Sequence, residues 1–211
     1  MIGDLFHLAP ALPQGFRYHP DLLTEAEERE LAGHLEGLDF AAVSMRGQVA
    51  RRRAKHFGWM YGYESWRITP GPPIPEFLGS VRRRAAQLAG ISPEALVEVL
   101  VNAYPAGAGI GWHRDAPQFG VVIGVSLLSE CRLRFQLGRG AARQTAALTI
   151  APRSAYVLDG DAREEWQHCV PPTKALRYSV TFRTLRARTA VARTEPLGDE
   201  SASGETERRG R

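Results

Sequence analysis

The chain has 211 residues, of which 44% are hydrophobic and 24% charged, and no internal repeat is visible, so it is sized for one domain with a sizeable core. A net charge of +4 and a pI near 9.4 fit a polyanionic partner without requiring one, because Arg-rich proteins of GC-rich genomes are basic throughout. Two cysteines, no charged-then-apolar leader and no apolar run of membrane length lead us to expect a reduced, cytoplasmic, monomeric protein without a membrane partner.

In chain order, Met1 to Tyr18 reads as an extended lead-in across the core. Thr24 with Glu27 forms a capping box, and Leu31, Leu35 and Leu38 continue the apolar stripe of a helix whose Glu25, Glu28 and Glu30 read as a solvated face. Between Met45 and Tyr63 come Arg46, Arg51, Arg52, Arg53 and Lys55 with no acid among them, then His56-Phe57-Gly58-Trp59-Met60-Tyr61-Gly62-Tyr63. Basic residues interleaved with aromatics meet the requirement for gripping a phosphate backbone while stacking on an unpaired base; the plainer alternative is a solvated loop before an aromatic strand. Gly71 to Pro75 is a linker, and Pro75 opens a helix to Ala89 that stops at Gly90. On that helix the triplet Arg82, Arg83 and Arg84 spreads around the circumference and reads as solvated. Ser92-Pro93-Glu94 starts a short helical turn.

Val97 to Asp115 is the organising stretch: a strand carrying Asn102 and Tyr104, a break at Pro105 and three glycines, and a return at Trp112. Alternation puts His113 and Asp115 on one side and Arg114 on the other. Two of the three ligands of a non-haem Fe(II) facial triad have this form, and so does a half-buried histidine paired with an aspartate. Strands follow at Val121 to Leu128, Cys131 to Leu137, Gln144 to Ile150 and Ala155 to Asp159, the short regular spacing of an all-β barrel or jelly roll. Cys131 and Cys169 read as packing residues. Leu176 to Leu185 is the best strand, with Arg177, Ser179, Thr181 and Arg183 on one face and Tyr178, Val180 and Phe182 on the other. Two guanidinium forks on one face suit a ligand with a carboxylate at each end; an edge strand with a solvated polar face has the same pattern. From Arg188 onward large apolar residues are almost absent, and residues 188–211 are expected to form a disordered tail.

Asn102 and Tyr104, His113 and Asp115, the distal His168 in Glu-Trp-Gln-His-Cys-Val-Pro-Pro, and Arg-Tyr-x-x-x-x-Arg from Arg177 to Arg183 occur in the order of one known family. Over about Phe57 to Leu185 the chain resembles the AlkB family of Fe(II)- and 2-oxoglutarate-dependent dioxygenases. The resemblance implies a mainly β domain over residues 1–187, a double-stranded β-helix or jelly roll with flanking helices, and a nucleotide-recognition lid at about 45–70. It implies that His113, Asp115 and His168 bind iron as the catalytic centre, and that Asn102, Tyr104, Arg177, Ser179 and Arg183 hold 2-oxoglutarate, with Ser179 standing where DNA-repair members usually have Asn. Arg51, Arg52, Arg53, Trp59, Tyr61 and Tyr63 are then candidates for contact with nucleic acid, since Phe-Gly-x-x-Tyr-x-Tyr resembles members that act on RNA. The implied reaction is oxidative dealkylation of an N-alkylated base with O2 as cosubstrate. DNA-repair members carry an acid two positions after the ligand aspartate; here Pro117 stands there, against recognition of a cationic methylated base by that device. A protein or small-molecule hydroxylase would share the iron site, whereas a non-catalytic nucleic-acid-binding protein would need only the basic patch.

Overall fold

The computed structural model describes residues 11–45, 48–62 and 68–186. The expected C-terminal tail, the first ten residues, Arg46 and Tyr63 lie outside the described residues. The elements in order are β1 (Phe16–His19), α1 (Glu25–Glu36), β2 (Ala41–Met45), β3 (Gln48–Tyr61), β4 (Ile68–Pro70), α2 (Gly79–Ala89), β5 (Leu96–Tyr104), β6 (Ile110–His113), β7 (Phe119–Leu127), β8 (Cys131–Leu137), β9 (Gln144–Ile150), β10 (Ala155–Leu158), α3 (Gly160–Glu164), β11 (Gln167–Val170) and β12 (Arg177–Leu185). They build an eight-stranded sheet, in the order β1-β10-β7-β12-β5-β3-β2 with β4 on β3, and a four-stranded sheet in the order β6-β11-β8-β9. The pair forms a double-stranded β-helix.

Strand β12 lies between β7 and β5, and its two faces do different work. Tyr178, Val180 and Phe182 join Val99, Val101, Ile123 and Val125 in a core that takes Leu31 and Leu35 from α1 and Val81 and Ala85 from α2. The opposite face carries Arg177, Ser179, Thr181 and Arg183, all buried although polar. Burying such groups is costly unless they find partners, so this face must line either a hydrogen-bonded network or a site. A second core of Leu133, Phe135, Tyr156, Leu158 and Trp166 closes the space under the small sheet. Gly124 of β7 makes room for it, since a Cβ there would stand 2.3 Å from the Tyr156 ring.

The helices start and stop where the capping residues lie. Thr24 and Glu27 form the complete capping box, and Gly90 ends α2 with a left-handed φ of 69°. Arg84 donates to the Leu22 carbonyl at 2.9 Å and pairs with Glu27, so one member of the Arg82–Arg84 triplet ties α2 to α1.

Four local expectations are corrected. Glu28 is buried rather than solvated: it accepts the Leu128 N–H at 2.8 Å and pairs with Arg153 at 3.3 Å, and both of these residues have left-handed φ. A helix carboxylate thus holds two strained turns of the large sheet. The N-terminal lead-in becomes a paired edge strand from Phe16, whose ring packs on Phe135 at 5.0 Å. Within the stretch expected to be a lid, Gln48 to Tyr61 form one strand, and Arg53 to Gly58 pair with β5 inside the main sheet. Finally, β6 ends at His113, so Asp115 stands on the loop beyond it.

Among the described residues no helix is long and apolar enough to cross a membrane, which says nothing of strands.

Candidate active site

The polar face of β12 opens into a cavity of about 240 Å³ between the two sheets. His113 and His168 enter it from β6 and β11, which pair antiparallel with these two residues directly opposite, so their ring centroids lie 4.3 Å apart. The Nδ1 of His113 lies 2.9 Å from the Gly111 carbonyl. A carbonyl only accepts, so Nδ1 carries the proton and Nε2 keeps its lone pair. Asp115 sits 3.6 Å from His168, Oδ2 to Nε2. Its other oxygen, Oδ1, accepts from Nε and Nη2 of Arg183 at 2.9 and 2.6 Å.

Electrostatics prepare these groups for a cation. Burial, reinforced by His113, pushes the His168 imidazole down to about 3, and burial likewise lowers His113. Burial opposes ionisation of Asp115, but the Arg183 guanidinium and the two imidazoles outweigh it and hold the carboxyl well below the usual carboxylate range. Two neutral imidazoles and one carboxylate are the donor set of a facial triad. Asp115 Oδ2 and His168 Nδ1 are buried without a hydrogen-bond partner. The unpartnered Oδ2 faces His168 Nε2, so these residues fit a divalent metal. Among the described residues no three such side chains are drawn together as a complete metal-ligand cluster, and His168 Nε2 and Asp115 Oδ2 stand 3.6 Å apart.

Beside the trio, the registers Asn102↔Ser179 and Tyr104↔Arg177 bring together the residues implicated in cosubstrate binding. Arg177 is 2% exposed, donates from Nε to Ser126 Oγ at 2.9 Å and stands over the Tyr104 ring at 5.2 Å. Arg183 is differently placed: besides Asp115 it donates from Nη1 to Glu98 Oε2 at 2.7 Å, and Glu98 Oε1 lies 3.4 Å from His56 Nδ1. Burial works against the Arg183 charge, but Glu98 and Asp115 outweigh it and raise its pKa.

The basic stretch divides by alternation. Arg51 and Arg53 are exposed, and Arg53 donates to the Phe40 carbonyl at 2.6 Å. Arg52 turns inward, is 7% exposed, lines the cavity and donates to Asn102 Oδ1 at 2.9 Å. Trp59 and Tyr61 lie half-buried farther along β3, past the kink at Gly58, whose φ is 75°.

Sequence reasoning missed the role of Glu98, which shares a face with Asn102 by simple alternation and was legible on that ground. It also missed Arg163, 4% exposed, which donates to the carbonyls of Gly120, Ala116 and Phe119 and pins the loop after Asp115; nothing in the sequence marks it.

Fold and donor set together define a double-stranded β-helix oxygenase with buried arginines beside its metal-type ligands. The chain belongs to the 2OG-Fe(II) oxygenase superfamily, which it matches over residues 15–188, and within it is AlkB-like. Membership implies Fe(II), 2-oxoglutarate and O2 and gives this chain a dioxygenase domain. It is similar to the tRNA (carboxymethyluridine(34)-5-O)-methyltransferase alkbh8 of Xenopus tropicalis, 25% identical over 174 residues, which cover 79% of this chain and 27% of that protein. It is similar to the alkylated DNA repair protein ALKBH8 homolog of Arabidopsis thaliana, 27% identical, covering 74% of this chain and 50% of that one. The chain therefore spans between a quarter and a half of the length of these relatives. The OsALKBH1 structure superposes with a TM-score of 0.66 at 16% identity over 82% of this chain and 98% of that one. A Pseudomonas putida prolyl-4-hydroxylase superposes with a TM-score of 0.56 at 18% identity over 82% of this chain and 93% of that one, again a likeness of fold.

Proposed function

We propose that the protein oxidatively dealkylates N-alkylated bases in nucleic acid. His113, Asp115 and His168 would hold Fe(II); Arg177, with Asn102, Tyr104 and Ser179, would bind 2-oxoglutarate. The chemistry these groups supply when bound is oxidation of an N-alkyl carbon by O2, with 2-oxoglutarate leaving as succinate and CO2 and the alkyl group as an aldehyde. The observation that carries the reading is the buried Asp115 Oδ2, unpartnered and facing His168 Nε2, in a cavity that also holds Arg177.

The chain's own part is to bind, orient and exclude water. Arg177 is fixed by Ser126 and presents its remaining N–H groups to a carboxylate. Arg183 fixes one oxygen of Asp115 and leaves the other for the metal. Leu133, Val122 and Leu158 supply an apolar part of the cavity lining, which would help exclude water once the ligands are bound. Nucleic acid is supported as the substrate by β3, which lines the cavity through Arg52 and also carries the exposed Arg51 and the aromatics Trp59 and Tyr61. The names of the two relatives concern tRNA and DNA.

The test is mass spectrometry of mixed methylated DNA and RNA oligonucleotides after incubation with the protein, Fe(II), ascorbate and 2-oxoglutarate. Loss of the methyl group from one modified base is expected. Succinate formation with every methylated base intact would refute the nucleic-acid reading in favour of a protein or small-molecule hydroxylase.

A further inference from the structure

We propose that the cavity selects alkylated bases that are neutral or anionic and present a carbonyl oxygen to Arg52, and that it rejects bases carrying a positive charge. The inference rests on the nucleic-acid reading above and narrows it to a class of base.

Among the described residues lining the cavity the only acid is Asp115, and Glu98 lies just behind it. Arg183 engages both of these carboxylates. Arg52, Arg114 and Arg177 also line the cavity, and none of them has a carboxylate partner in it. Arg114 is exposed and bonds the Glu164 carbonyl, so the buried cations that line the cavity are Arg52, Arg177 and Arg183, set against Asp115 and the Glu98 behind it. A divalent metal and a 2-oxoglutarate dianion cancel each other, so loading the site leaves this imbalance in place.

Arg177 is suited to the cosubstrate. Arg52 is the cation left over: it is buried, and among the described residues its hydrogen bond goes to the neutral Asn102 amide. A guanidinium has five N–H donors and no acceptor, and the N–H groups of a buried one are satisfied by acceptor lone pairs. The group that completes Arg52 must therefore bring an acceptor lone pair, as the carbonyl oxygen of a base does. A cationic base brings a like charge, and among the described residues lining the cavity the one carboxylate it meets is Asp115, which Arg183 already engages. Like unit charges about 6–8 Å apart at an effective dielectric constant near 20 weaken binding on the order of tenfold to a hundredfold.

The matched probes are three single-stranded RNA oligonucleotides that differ at one central nucleotide. One carries 3-methyluridine, neutral with carbonyls flanking the methylated nitrogen; one carries 3-methylcytidine, a cation at neutral pH; one carries unmodified uridine. Binding to the full chain with Fe(II) and 2-oxoglutarate under argon is read by fluorescence anisotropy, so no turnover is needed. The 3-methyluridine strand is expected to bind at least about tenfold tighter than the 3-methylcytidine strand, and Arg52→Gln should shrink that ratio to under about threefold. Equal or tighter binding of 3-methylcytidine by the native protein overturns the inference, and this comparison stands even if Arg52→Gln fails to fold. A ratio unchanged in a folded Arg52→Gln also overturns the role of Arg52. If none of the three strands binds, the nucleic-acid reading itself fails and takes this inference with it. If the uridine strand binds without the expected discrimination, only the inference fails.

Discussion

Replacing Glu98 by Gln isolates the charge that stands behind the metal-ligand carboxylate. Glu98 is 1% exposed and accepts from Arg183 Nη1 at 2.7 Å, while Arg183 keeps its two bonds to Asp115. The change retains an acceptor of nearly the same shape and removes one of two negative charges from a buried guanidinium. Complete unpairing of a buried ion costs about 3–5 kcal/mol, whereas a single hydrogen bond to a charged group is worth about 1.5–3 kcal/mol. Because Asp115 remains, the loss should fall in the lower range. For a domain of this size that lowers Tm by about 3–12 °C. Urea unfolding at pH 7.5 with EDTA, followed by circular dichroism, measures it without the contribution of bound metal. Iron affinity should fall as well, because a less restrained Arg183 holds Asp115 Oδ1 less firmly. A stability loss under about 0.5 kcal/mol, with Arg183→Met showing no coupling to Glu98→Gln in a double-mutant cycle, would refute the assignment of Glu98 as an anchor.

Three further outcomes are expected. His168→Ala should reduce iron content to background without altering the far-ultraviolet spectrum, measured by metal analysis beside circular dichroism; retained iron with native 2-oxoglutarate consumption would contradict the ligand assignment. Arg177→Lys should raise the apparent KM for 2-oxoglutarate more than Tyr178→Phe does, since lysine lacks the fork and Tyr178 faces the helices; equal effects would contradict the assignment of faces. The Glu27 carboxyl is held down at about 2 by hydrogen bonds from Arg84 and from the Thr24 backbone, against 4.5 for the free group. Its folded-state pKa is thus depressed, so its stabilisation is fully present above about pH 4.5 and is lost as pH falls toward 2. Glu27→Gln should lower stability at pH 7 and approach the native protein as the pH of a denaturation series is brought down to 3.

Local chemistry determined much of this protein. The capping box at Thr24 and Glu27, the stop at Gly90 and the four strands between Phe119 and Leu158 follow from interactions within a few residues, which a sequence displays directly. Alternation along β12 likewise separated Arg177 and Arg183 from Tyr178 and Phe182, because a strand has only two faces. Which of those faces met a core and which a cavity was decided by the partner strands, as were all distances in the site. The pairing of β6 with β11 set His113 opposite His168 across more than fifty positions of chain, and no local signal encodes such a register. The same holds where a local reading of the residues misled. Glu28 reads as solvent-facing on an isolated helix, but the turn at Leu128 and the side chain of Arg153 arrive to claim it. Arg51, Arg52 and Arg53 are one basic run in sequence; pairing of β3 with β5 turned the middle one inward to Asn102. A charge run states how much charge is present, and only tertiary structure decides which charges meet water, which meet a carboxylate and which are left to meet a ligand.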